Sequence, residues 1–474
     1  MTNIMNLRKI RIVMGGMGFY ISTLMANLVS RLGGLGTVSG VAPELILPIL
    51  LGKGDVDGSC RRALSHFPFP HIAQMVLDAY YIGAGNPLGK KPRGTPFFAV
   101  EPSEMAAALS ICGNFVFVWL AKEGHTNPVA INYLEKISLP MPTAITGAML
   151  AGVDVIVVGA GIPNQIPDVI DAVNEWREVT YRVPVTGNMG SYTVKFDPTK
   201  FLGERPENLA KPLFMPIVSS NLLAWALKKK LGNRIDGFIV EESTAGGHNA
   251  PPRRHGVDAT GEPIYDDADQ VDHAKLASLG MPFWIGGSKA SPEGLELALN
   301  KGACGIQVGT ALALCEESGL RANIRKEVRR LAFRGELSVR ASLQASPTGF
   351  PFQVADLEGS LSRSEVLSSV ERNCIYGVLR ELYEKPDGSV GYRCSAGPID
   401  KFIESGGDVC ATNSSCLCAG LMQVSCLGDG SYPPIVTLGK DAIRIAQTLM
   451  KNEDDVIHVQ DVFNYILAQS VKSE

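Results

Sequence analysis

Along the first 330 residues, short apolar runs rich in β-branched and aromatic side chains alternate with longer stretches whose apolar positions recur at helical spacing. Alternation of that kind marks βα units and a parallel sheet. The short runs predict strands at residues 11–14, 35–39, 115–120, 129–134, 153–158, 214–218, 237–241, 282–286 and 305–308. Helical periodicity predicts helices at 21–32, 103–111, 166–177, 220–231, 271–279 and 292–301. The last has Ser291 as its N-cap and Pro292 in its first turn. These nine strands compete for the eight places of an α/β barrel, and 115–120 is the one assigned to the periphery. The alternation favours a barrel over an open sheet.

Two stretches interrupt the rhythm. Residues 52–96 are dense in Gly, Pro and aromatics, and 187–212 hold a Gly/Asn turn followed by Lys-Phe-Asp-Pro. Both read as insertions between βα units, where they would shape a substrate pocket. Beyond residue 330 the pattern changes to a Pro-Thr-Gly-Phe-Pro loop at 347–351, a helix expected over 364–383, a hairpin turn at 386–389 and a Cys-rich stretch from Cys394 to Cys426. The expected organisation is a barrel over 1–330 and a C-terminal, α-rich, Cys-containing extension over 331–474 that packs on it.

Composition narrows the partners. The 474 residues leave room for about three ordinary domains or for one barrel with attachments. Hydrophobic residues at 45% exclude disorder. A net charge of −4 without a long Lys/Arg block leaves no electrostatic footprint for nucleic acid or an anionic membrane, so neither is an expected partner. No apolar run reaches the roughly 18 residues of a membrane span, and the N-terminus lacks a signal-peptide core, so a cytoplasmic protein is expected. The 10 Cys are too sparse for a disulfide scaffold.

The 50 glycines gather after candidate strands, at Gly15-Gly16-Met17-Gly18, Gly33-Gly34-Leu35-Gly36 and Gly286-Gly287-Ser288. Backbone without a side chain lets N–H groups approach a ligand closely, and a following helix start adds positive potential. The last two strands end in Gly287-Ser288 and Gly309-Thr310, where barrels often bind phosphate. That spacing points to a phosphorylated ligand. A further Gly loop, Ala245-Gly246-Gly247-His248, puts a histidine at the catalytic face. Such a residue can take or give a proton near neutrality, and its cation can stabilise an anionic substrate.

Taken in order, Met14-Gly15-Gly16-Met17, Gly33-Gly34-Leu35-Gly36, Ala245-Gly246-Gly247-His248, Trp284-Ile285-Gly286-Gly287 and Gly305-Ile306-Gln307-Val308-Gly309-Thr310 resemble the nitronate monooxygenase (2-nitropropane dioxygenase) family. That family also holds flavin-dependent enoyl-acyl-carrier-protein reductases. The resemblance spans roughly residues 10–320 and implies an FMN-binding TIM (β/α)8 barrel. It implies that backbone near Gly15, Gly16 and Met17 contacts the flavin ring, and that Asn132 hydrogen-bonds the flavin. Glu241 sits where relatives carry Gln or Glu, beside Gly246 and Gly247. Gly286, Gly287, Ser288, Gln307, Gly309 and Thr310 would hold the FMN phosphate, and His248 would be the catalytic base. The chain departs from the pattern at Met14, where relatives carry Gln, at Thr244, where many carry Glu, and at residues 249–253.

The resemblance implies oxidation of a small alkyl nitronate with oxygen. The alternative within it is an NAD(P)H-dependent flavin reductase acting on an enoyl thioester or quinone, and a third reading is a flavoprotein component of a larger pathway complex. The Cys tail stays open: Cys374, Cys394, Cys416 and Cys418 are candidates for zinc or an iron–sulfur cluster, but match no Cys-x-x-Cys pair. Inert buried thiols, in a segment covering the barrel or forming a homo-oligomer contact, are the other reading.

Overall fold

A computed structural model describes residues 4–16, 18, 23–86, 91–254 and 256–468. Eight strands form its central sheet: β1 (Ile12–Met14), β2 (Gly36–Ser39), β3 (Val129–Leu134), β4 (Val155–Gly159), β5 (Leu213–Val218), β6 (Phe238–Glu241), β7 (Phe283–Gly286) and β8 (Gly305–Val308). They are buried almost throughout, as continuous apolar runs covered on both faces must be. All neighbours pair in parallel, in the order β1-β8-β7-β6-β5-β4-β3-β2. The ring closes between β1 and the start of β2, where Met14 N–H donates to the Leu35 carbonyl at 3.0 Å and Leu35 N–H to the Ile12 carbonyl at 2.9 Å. The fold is a TIM (β/α)8 barrel.

Strand alternation sorts the side chains. Val13, Val155, Val157, Met215, Ile239 and Trp284 form the inner core with Leu7 and Ile10, while Ile12, Met14, Ile156 and Val158 face the surrounding helices. Trp284 is fully buried, and its Nε1–H donates to the Ile10 carbonyl at 2.8 Å, so the indole leaves no orphan donor inside the barrel. Serine caps start several helices. Ser103 accepts from Ala106 N–H before Glu104–Lys122, Ser220 from Leu223 N–H before Asn221–Leu231, and Ser291 from Gly294 N–H before Pro292–Asn300.

Residues 115–120 are not a strand. They belong to the helix Glu104–Lys122, which is long and apolar enough to cross a membrane, contrary to the expectation that no run would be. Here that helix is largely buried between neighbours, and its apolar character all round follows from being covered on several sides. The contacts are close: a Cβ on Gly113 would fall 2.6 Å from the Pro43 carbonyl oxygen, and one on Gly147 only 2.1 Å from the Ile111 oxygen. Tertiary packing has overridden the β-propensity of Phe-Val-Phe-Val-Trp-Leu.

The insertions and the C-terminal segment build the rest. Residues 52–96 include the helices Ser59–Leu64 and Pro70–Tyr80. The second insertion opens earlier than its turn residues suggest, as an antiparallel hairpin of Val179–Thr186 and Gly190–Phe196. The C-terminal hairpin Glu381–Glu384 and Val390–Arg393 extends that sheet, with Leu382 beside Val185. The helix expected over 364–383 is confined to Ser364–Ser369, because the chain then turns outward to reach this sheet edge. Helices Ala442–Leu449 and Val459–Leu467 pack on Ala322–Arg334 and Pro292–Asn300.

Candidate active site

Parallel strands deliver all their carboxyl ends to one side, and the residues just past them surround a cavity of about 180 Å³. Every described residue assigned above to the flavin, its phosphate or catalysis lines it, whereas the Gly33-Gly34-Leu35-Gly36 cluster leads into β2 at the opposite end of the barrel and does not. Gly15 and Gly16 follow β1, Asn132 lies in β3, Glu241 ends β6, and Gly246, Gly247 and His248 come from the loop after it. Gly286 ends β7 and Gly287 and Ser288 follow it, while Gln307 lies in β8 and Gly309 and Thr310 just beyond. Met17 lies outside the described residues.

Two glycines show why side chains are missing here. Gly16 packs so tightly on Asn132 that a Cβ would fall 2.6 Å from the Asn132 Cβ. Gly309 has the opposite setting: a Cβ there would meet nothing within 4 Å. Its backbone is therefore bare toward the cavity it lines. After β7, Gly287 at φ 116° and Ser288 at φ 50° both have positive φ, in a sharp turn that lines the cavity.

His248 is held from two directions. With Gly247 it forms a two-residue strand paired to Phe352–Ala355 of the C-terminal segment. Its ring stacks on Phe350 at 5.0 Å and meets Phe352 edge-on at 5.4 Å. Nδ1 lies 3.9 Å from Glu241 Oε2, and Nε2 is buried with no hydrogen-bond partner among the described residues. Burial, reinforced by the positive charge of Lys136, drives the imidazole down to about 3. The cation expected from the sequence does not form at neutral pH, and His248 is a neutral, desolvated base. Burial likewise pushes the Glu241 carboxyl up to about 8, so it is an acid near neutrality. The two groups also line a second cavity, of about 310 Å³, and so stand between two chambers.

Around the phosphate-type cradle the structure adds residues that the motifs did not single out. Lys289 lines the cavity and contacts Glu242 at 2.5 Å. Burial pushes the Glu242 carboxyl up, but the Lys289 ammonium and the His273 imidazole, 3.4 Å away, more than offset this and hold it below its ordinary range. Thr310 Oγ1 accepts from Gly439 N–H at 2.9 Å and lies beside Asp441, whose carboxyl is pushed up by burial against the pull of Arg444. Lys289 was readable in principle, since it directly follows Gly-Gly-Ser. Thr437, Leu438 and Asp441 carry no local signal, because only the tertiary fold brings them to the cavity.

A third cavity, of about 630 Å³, adjoins the first through Ile137, Val378 and Leu379. Lys136 lines it, with Nζ 2.8 Å from the Phe350 ring centroid and no hydrogen-bond partner among the described residues. Burial lowers this amine to about 7 despite the neighbouring Glu135.

No family model matches the chain, and no curated protein matches it. Solved structures with a similar course include FabK from Thermotoga maritima, at 14% identity and a TM-score of 0.47, covering 99% of this chain and 95% of that one. Nitroalkane oxidase from Streptomyces ansochromogenes is similar at 12% identity and a TM-score of 0.46, covering 99% and 98%. The enoyl reductase domain of MlnA from the macrolactin biosynthesis cluster of Bacillus amyloliquefaciens is similar at 11% identity and a TM-score of 0.47, covering 97% and 94%.

Proposed function

We propose that the protein is an FMN-dependent oxidoreductase whose substrate is a small alkyl nitronate, oxidised with oxygen. The observation that carries this reading is the convergence of Gly15-Gly16, Gly246-Gly247, Gly286-Gly287, Gly309, Asn132, Glu241 and an unpartnered, neutral His248 on one cavity at the strand ends. The residues fit the cofactor. The bare backbone at Gly309, the Gly287-Ser288 turn and the Lys289 ammonium suit a phosphate, and the close Gly16–Asn132 packing leaves a flat wall for a ring. FMN bound there would supply the redox chemistry.

The chain's own groups divide the remaining work. Glu241, protonated below about pH 8, donates a hydrogen bond to an anionic oxygen. His248 would take a neutral nitroalkane's α-proton only as the nitronate anion forming beside it, with the C–H electron pair passing to the nitro group, stabilises the resulting imidazolium. Val41, Ile137 and Ile217 on the cavity wall exclude water. A reductase acting on an enoyl thioester is the second reading. The adjoining cavity of about 630 Å³ favours it, being larger than a small nitronate needs.

Anaerobic mixing of the flavin-loaded protein separates the two. Bleaching by propionate 3-nitronate but not by NAD(P)H is expected; rapid bleaching by NAD(P)H alone would overturn the first reading in favour of the second. A colourless protein that binds no added FMN defeats both. The His248→Ala variant should keep its flavin and slow neutral nitroalkanes far more than preformed nitronates. Equal loss on both would remove His248 as the proton-abstracting base.

A further inference from the structure

A small nitronate leaves the chamber of about 630 Å³ unfilled. The insertion hairpin and the C-terminal segment help to wall it, through Val183, Tyr376 and Phe402, and it meets the glycine-rich cavity at Ile137, Val378 and Leu379. Lys136 stands in its lining, two residues past the end of β3. The base of that side chain is fixed: Glu135 N–H donates to the Gly159 carbonyl at 2.8 Å, and Ile137 N–H to the Leu134 carbonyl at 2.9 Å. Its tip is not. Nζ is buried without a hydrogen-bond partner among the described residues and rests 2.8 Å from the Phe350 ring centroid.

A buried ammonium needs acceptors for three N–H groups, and desolvating it without them costs far more than the face of one ring returns. The setting therefore holds a neutral amine, in keeping with the lowering by burial to about 7. Such an amine has a free electron pair, which makes a desolvated lysine a nucleophile toward carbonyl carbon. The chamber's charges suit the cation that attack produces. Arg393 is already paired with Glu381 at 2.6 Å, and Arg380 already donates to the Gly377 and Phe98 carbonyls, both at 3.0 Å. That leaves the carboxyls of Glu44 and Glu135 in the lining, which favour a ligand cation over an anion. Phe98, Leu139, Val183 and Phe402 give the chamber an apolar side.

We propose that Lys136 captures an apolar aldehyde or ketone as an imine. The Nζ electron pair forms the C–N bond while the carbonyl π pair moves to oxygen. The two amine protons then leave with that oxygen as water, and the C=N bond forms. A proton from solvent converts the imine to an iminium, whose charge Glu135 balances. The step needs no oxidant or reductant. Phe350 covers the amine and lines the same chamber, so its ring is what the carbonyl compound displaces from Nζ.

The test is reductive trapping of the full chain with benzaldehyde and sodium cyanoborohydride at pH 7, followed by peptide mapping in a mass spectrometer. Hydride from the cyanoborohydride reduces the iminium carbon and fixes a benzyl group on Nζ. A solvated lysine of ordinary basicity is almost entirely ammonium at that pH, so Lys136 should be benzylated at least about tenfold faster than an exposed lysine. The comparison is with Lys200 and Lys275, whose side chains are 79% and 76% exposed. In guanidinium chloride the preference should vanish, and Lys136→Met should lose the fast incorporation into the intact protein. The wild-type peptide map stands whether or not that variant folds. Labelling of Lys136 no faster than that of Lys200 overturns the proposal, and so does a preference that survives unfolding, which would come from the local sequence alone. No flavin takes part in the capture, so trapping can fail while a nitronate bleaches the flavin, and succeed where none does.

Discussion

His248 and Glu241 stand 3.9 Å apart, yet neither carries charge near neutrality, because burial acts on each more strongly than attraction between them. This inverts the usual reading of a His–Glu pair as an ion pair. Activity should show no inflection near 6.5, the ordinary histidine value. Instead KM for an anionic substrate should rise as pH passes about 8, when the Glu241 carboxylate forms beside it. Glu241→Gln should flatten that limb, and an unchanged alkaline limb in initial-rate measurements would exclude Glu241 as its source. Stability follows the same sign. A carboxyl raised from 4.5 to about 8 contributes stability that is present below 4.5 and lost as pH rises through 8. Thermal melts should therefore show Glu241→Gln gaining on the wild type at pH 9 relative to pH 5.

Elements reveal what each glycine does. Gly147 lies within the helix Met141–Leu150, where a Cβ would strike the Ile111 carbonyl oxygen, whereas Gly309 faces open space at the end of β8. Gly147→Ala should cost ~2–3 kcal/mol in denaturant melts through overpacking. Gly309→Ala should melt like the wild type but weaken FMN binding about tenfold, ~1.4 kcal/mol, by placing a methyl group where a phosphate would lie. Loss of stability in Gly309→Ala would contradict its open setting. The barrel strands were legible because a parallel strand buried on both faces writes an unbroken apolar run, and β8 matches its expected limits of 305–308. Residues 115–120 write the same kind of run for another reason, as one part of a helix enclosed by other helices. Length arbitrates between the two, since burial runs unbroken from Ala106 to Val118, through Ser110, Gly113 and Asn114. The glycine and histidine positions were legible as motifs, but the charge state of His248 depends on Phe350, Phe352 and Lys136, which no local pattern connects to it.

Across the whole molecule, the C-terminal segment finishes a cavity that the barrel begins. Leu438 and Asp441 wall the phosphate-type end, and the Phe352–Ala355 strand holds the His248 loop in place. Asp441 brings a carboxyl to a cradle suited to an anion, and burial there shifts it toward the protonated form. Asp441→Asn should therefore tighten FMN binding by about threefold to tenfold at pH 8, with the gain shrinking toward pH 5, as read by fluorescence titration. An affinity equal to the wild type at both pH values would place Asp441 outside the phosphate's reach. This shared construction also imposes a timetable on biosynthesis. The sheet cannot close until β8 has been made to pair with β1, and Asp441 follows β8 by roughly 130 residues, on the order of ten seconds of ribosomal elongation. During that interval a closed barrel exposes a glycine-lined mouth that lacks its final wall, so a nascent chain paused there would bind chaperones before it could retain a cofactor.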